Sequence, residues 1–138
     1  MTRIIFAIVT ILLFSCAQKE EIIEQTWPDG APKLVKVFAI DGEEKALAKE
    51  TEYYENGQIK IIGEYNSESQ RTGQWHAYYE DAKPWSECEY RNGLKHGKNT
   101  VWFSNGHLRY EGKYENDKQA GIWKFWDENG ALVKEVEY

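Results

Sequence analysis

Tyr53-Tyr54-Glu55-Asn56-Gly57-Gln58 and Trp102-Phe103-Ser104-Asn105-Gly106-His107 are one six-residue pattern written twice, and this pattern decides the fold. Asn-Gly takes φ > 0 at both central positions of a tight turn cheaply, so it predicts a hairpin. The turn position recurs at Gly30, Gly57, Ala82, Gly106 and Gly130, separated by 27, 25, 24 and 24 residues. A terminal aromatic keeps the same series at Phe38, Tyr65, Tyr90, Tyr114 and Tyr138, and a second glycine recurs at Gly73, Gly97 and Gly121. Three markers in one register define an internal repeat, covering residues 26–138.

Each unit reads as two strands. Before Tyr65 the alternate residues are Ile59, Ile61 and Gly63; before Tyr114 they are Leu108, Tyr110 and Gly112. The equivalents before Tyr90 are Pro84, Ser86 and Cys88, and before Tyr138 they are Leu132, Lys134 and Val136. Intervening positions are largely charged, the period-two signature of a half-buried antiparallel strand. The other strand follows its glycine at 74–79, 98–103 and 122–127, with 48–54 as the first copy. Asn-Gly links the second strand of one unit to the first strand of the next. The opposite turns, 91–96 and 115–120, read as longer and closed by glycine, and 41–47 reads as an extended loop. The Asp81-Ala82 copy lacks Asn-Gly, so a distorted turn is expected there. The expected fold is all-β: a repetitive antiparallel β-meander of about nine strands in one extended or curled sheet.

Tyr53 to Gln58, Trp102 to His107, His96-Gly97-Lys98 and Glu111-Gly112-Lys113-Tyr114 resemble the MORN-repeat variant, including proteins of the YwqK-type antitoxin family. That resemblance spans nearly the whole chain after its leader. It implies an interaction or membrane-association module and, through the antitoxin label, a partner rather than a reaction. It carries no catalytic motif.

The first residues read as an address. Arg3 precedes an apolar run from Ile4 to Phe14, too short to span a bilayer and suited to a signal peptide. Leu13-Phe14-Ser15-Cys16 resembles the lipobox of bacterial lipoproteins, which implies lipidation at Cys16 and a mature chain beginning there. Acyl chains contribute about 0.8 kcal/mol per buried methylene, enough in combination for stable anchoring. The expected organisation is a signal peptide over 1–15, a lipidated tether over 16–25 and the repeat domain over 26–138. Ala17-Gln18-Lys19-Glu20-Glu21 resembles a Lys-plus-acidic surface-export tag, pointing to the outer membrane and its outer face.

Composition excludes several functions. With 17 Lys+Arg against 23 Asp+Glu, the net charge of −6 argues against a nucleic-acid partner, which needs a basic stripe. It also disfavours binding to anionic phospholipid. Cys16 is taken by lipid, so Cys88 is left without a disulfide partner; between Glu87 and Glu89 it reads as a small buried hydrophobe. His76, His96 and His107 fall at different repeat positions without metal-ligand spacing, and no nucleophile–base motif is present. The reading is therefore no enzyme, no metal and no cofactor.

One feature reads as a binding site. Tyr53, Tyr78, Trp102 and Trp126 recur at the same place in successive second strands, about 9.6 Å apart at two strand spacings. Such a ladder of rings suits a sugar or an extended peptide, although the same rings would equally serve to cover the second side of the sheet. The expected function is a non-catalytic envelope lipoprotein binding a protein or glycan. An antitoxin or immunity protein that neutralises a partner toxin is the alternative.

Overall fold

The computed structural model describes residues 18–138; the expected signal peptide and Cys16 lie outside them. Ten strands follow in order: β1 (Gln18–Thr26), β2 (Pro32–Asp41), β3 (Glu44–Tyr53), β4 (Ile59–Tyr65), β5 (Arg71–Tyr78), β6 (Pro84–Arg91), β7 (Leu94–Trp102), β8 (Leu108–Glu115), β9 (Lys118–Trp126) and β10 (Leu132–Glu137). Each pairs antiparallel with its sequence neighbours, so the chain is one open ten-stranded meander.

Two segments differ from expectation. Residues 18–25, expected as a tether, belong to β1, which pairs with β2 from Gln18–Ile40 to Thr26–Pro32. Its charges fit an edge strand, where exposed polar groups discourage further pairing. Two of them form ion pairs, Glu24 with Lys36 at 2.6 Å and Glu20 with Lys45 at 2.8 Å. Residues 41–47, expected as an extended loop, hold only a two-residue turn at 42–43: Asp41 pairs with Glu44 around Gly42, whose φ is +61°, and 44–47 already belong to β3.

The two kinds of turn are also exchanged. At Asn-Gly the loop has three residues: Tyr54 N–H donates to the Gln58 carbonyl at 2.9 Å, and Gly57 N–H to the Tyr54 carbonyl at 3.0 Å. Only the glycine is left-handed, with φ +81° at Gly57 and +88° at Gly106. The two-residue turns with positive φ at both positions lie at the opposite end, at Asn92-Gly93 (49°, 82°) and Asn116-Asp117 (51°, 67°). Pairing there closes at Arg91–Leu94 and Glu115–Lys118, which is the primed hairpin geometry.

Why the three-residue loop uses Asn is visible in its side chain. Asn56 Oδ1 accepts the Gln58 N–H at 2.9 Å while its Nδ2 donates to the Glu80 carbonyl in the next turn at 2.9 Å. Asn105 repeats this with His107 N–H at 3.0 Å and the Glu128 carbonyl at 2.7 Å. Asp81 accepts the Lys83 N–H but has no donor, and Lys83 Nζ reaches the Ser104 carbonyl instead, at 3.4 Å. The Asp81-Ala82 turn keeps the backbone hydrogen bonds of its neighbours, Tyr79 N–H to Lys83 carbonyl at 2.8 Å and Ala82 N–H to Tyr79 carbonyl at 2.9 Å. Ala82 therefore sits at φ +64°, a conformation costing an L-residue about 1 kcal/mol. Ala82→Gly is expected to raise stability by about 0.5 to 1 kcal/mol, read as a shifted urea midpoint at constant slope.

A regular bulge sets which way the strands face. Glu52 pairs with Ile61 but Tyr53 with Ile59, leaving Lys60 extra; Trp85, Arg109 and Val133 are the extra residues of β6, β8 and β10. Paired residues share a face, so Ile59, Pro84, Leu108 and Leu132 lie with Tyr53, Tyr78, Trp102 and Trp126. Ile61, Ser86, Tyr110 and Lys134 lie on the other side. The alternation expected through Ile59 and Ile61 fails at this bulge, because one additional residue re-aims the chain before it.

Candidate functional site

The two faces of the sheet carry different aromatics. On the first, Trp75 and Trp123 are 5% and 1% exposed, although the sheet is a single layer. Each indole lies on the neighbouring strand where that strand has glycine. A Cβ on Gly63 would come 2.1 Å from Trp75, and one on Gly112 would come 2.2 Å from Trp123. Each ring N–H then donates to the next carbonyl of the same strand, Glu64 at 3.1 Å and Lys113 at 3.2 Å. The terminal aromatics close the seat edge-on. Tyr65 and Tyr90 stand 5.3 and 5.9 Å from Trp75, and Tyr114 and Tyr138 stand 5.0 and 6.1 Å from Trp123. The apolar core is thus a row of indoles each lodged on a glycine and held by two tyrosines.

On the opposite face the four ladder residues Tyr53, Tyr78, Trp102 and Trp126 are all half-buried. They alternate with the aliphatic residues paired to them, Ile59, Pro84, Leu108 and Leu132. Ile59 and Tyr78 line a shallow groove of about 150 Å³ with Gln58 and Ala82. Tyrosines of the preceding hairpin fix the backbone here: Tyr54 Oη donates to the Tyr78 carbonyl at 2.9 Å and Tyr79 Oη to the Trp102 carbonyl at 2.8 Å. These bonds fix the backbone beneath the ladder face. No second layer of the described residues covers it.

The remaining candidates have structural surroundings. His76 packs against Tyr78, its Nδ1 3.5 Å from Glu87; His96 meets Asn116 at 3.3 Å; and His107 meets the Glu128 carbonyl at 2.8 Å. Each histidine serves a different strand pair or turn. Among the described residues no three His, Cys, Asp or Glu side chains are grouped to hold a metal ion. Cys88 is buried, and that burial pushes its thiol above the usual range while Lys95 pulls it back less strongly. No described helix is long and apolar enough to cross a membrane.

Sequence reasoning found the ladder but missed the glycine seats. The available signal was the shared column of Gly63 and Gly112 opposite Trp75 and Trp123.

The structure is thus a repetitive antiparallel sheet with one aromatic core face and one aromatic outer strip. The MORN repeat variant matches the chain over residues 48–67, 95–116 and 119–138, so the chain carries MORN repeats. No curated protein and no solved structure matches it. Hairpin β5–β6, between the first two matched segments, contains the altered Asp81-Ala82 turn yet keeps the same fold.

Proposed function

We propose that this chain is a non-catalytic lipoprotein of the bacterial cell envelope, held to the outer membrane through Cys16 and binding a protein or glycan through its ladder face. The single observation that carries the binding reading is the strip Tyr53, Tyr78, Trp102 and Trp126: half-exposed rings over four repeats, on a face the core does not need. MORN repeats, which often serve as binding modules, support it. The lipobox supports the anchor. Because β1 begins at Gln18, an acylated Cys16 would hold the sheet edge within about 7 Å of the bilayer, the reach of two extended residues. The module would then stand at the membrane surface rather than on a long tether.

The anchor and the face are tested together. Cys16→Ala is expected to move the protein from the membrane fraction to the soluble one; retention in the membrane contradicts the anchor. A Trp102→Ala/Trp126→Ala double variant with native circular dichroism is expected to lose partners that the unaltered chain captures from envelope extract. Identical capture by both proteins contradicts a ladder-face site.

A further inference from the structure

One repeat has lost its indole. Trp75, Asn99 and Trp123 occupy equivalent positions on β5, β7 and β9, and Gly63, Cys88 and Gly112 are the residues against which they lie. At the middle position Asn replaces Trp, and Cys replaces the glycine that an indole requires. The neighbouring side chains of an indole seat persist: Tyr90 and Tyr114 flank it, and Lys95 holds the place that Arg71 holds beside Trp75.

The exchange leaves a groove on the core face. Its larger part, about 270 Å³, is lined by Trp85, Tyr90, Tyr110, Asn99, Lys95 and Arg109, among others. A second part of about 150 Å³ shares Trp85, Ser86, Cys88 and Tyr90 with it and adds Arg71. No carboxylate lines either part, in a chain with 23 Asp+Glu. None of the ion pairs between described residues uses Arg71, Lys95 or Arg109. Their cationic ends lie instead on aromatic rings: Arg71 is 4.0 Å from the Trp75 centroid, Lys95 5.0 Å from Tyr114 and Arg109 5.6 Å from Phe103. Asn99 is 5% exposed and lines the groove beside Lys95 and Tyr110.

We infer that this groove binds a carboxylate-bearing saccharide of the uronate type. Flat rings of Trp85, Tyr90 and Tyr110 suit the C–H face of a sugar, and the Asn99 amide and Ser86 hydroxyl suit its hydroxyls. The three cations free of carboxylate partners suit its acid group. The floor of Asn, Ser and Cys is polar and small, which favours a hydroxylated ring over an apolar side chain. This site lies on the face opposite the ladder, so it is independent of the ladder reading.

The test is a calorimetric titration of the full chain in detergent with trigalacturonate, its methyl ester and a glutamate-rich peptide. Trigalacturonate is expected to bind, with affinity falling as salt rises. Esterification, which removes the charge and adds only a methyl group to each carboxyl, is expected to weaken binding about ten-fold or more. Cys88→Gly combined with Asn99→Trp rebuilds the neighbouring repeats' indole seat, so it is expected to remain folded while losing about ten-fold or more in affinity. Lys95→Ala/Arg109→Ala is expected to lose a similar factor while remaining folded. The inference is overturned by no binding of trigalacturonate at millimolar concentration, by equal binding of its ester, or by tighter binding of the acidic peptide. Undiminished binding to the folded Cys88→Gly/Asn99→Trp chain overturns it as well.

Discussion

Gly112→Ala is expected to cost about 3 kcal/mol, a large fraction of the stability of a domain this size. Backbone conformation is not the reason, since this glycine is not left-handed. The cause is contact. The added Cβ would stand 2.2 to 2.6 Å from three atoms of the Trp123 indole. That ring cannot retreat: Tyr110 and Phe125 stack at 6.0 and 6.3 Å, Tyr114 closes an edge at 5.0 Å, and its N–H is tied to Lys113. Gly106→Ala is the control. Its φ of +88° makes the substitution strained, but a Cβ there meets nothing within 4 Å, so only about 1 to 2 kcal/mol is expected. Urea unfolding of the three proteins decides the matter, and equal losses at the two positions would contradict the seat.

Trp123→Ala removes the most deeply buried side chain and is expected to cost about 3 to 5 kcal/mol. The damage should be local in its first appearance. In a meander each hairpin packs mainly on its neighbours, so β9–β10 at the open edge should fray before β3–β6. Hydrogen exchange is expected to show lost amide protection over residues 118–137 with protection retained over 44–91. Uniform loss along the chain would mean that the repeats do not stabilise one another as neighbours.

Much of this was legible from residue types alone. The spacing of Gly57, Ala82, Gly106 and Gly130 located the hairpins because a left-handed position recurs wherever that turn recurs, and even Ala82 keeps it. The type of turn was not legible. Asn-Gly serves a two-residue and a three-residue loop alike, and what separates them is where strand pairing stops, at Tyr54 and Gln58 in one case and at Arg91 and Leu94 in the other. Period-two reading misplaced Ile59 and its equivalents because a bulge changes the phase without leaving a residue type of its own: Lys60, Trp85, Arg109 and Val133 share no chemistry. The charged stretch 18–25 read as a tether because an edge strand needs no apolar face. The ladder at Tyr53, Tyr78, Trp102 and Trp126 was visible as a column. Which of the two aromatic columns forms the core was not, since that depends on the glycines of the adjacent strand.

That last division is the centre of the account: Trp75 and Trp123 are the core, and Trp102 and Trp126 belong to a surface. Hydroxyl-radical footprinting of the unaltered chain, with oxidation read at each tryptophan by mass spectrometry, tests it directly. The account predicts that Trp75 and Trp123 are protected by about ten-fold or more relative to Trp85, which is 41% exposed, with Trp102 and Trp126 intermediate. Oxidation of Trp123 as fast as Trp102 would contradict it.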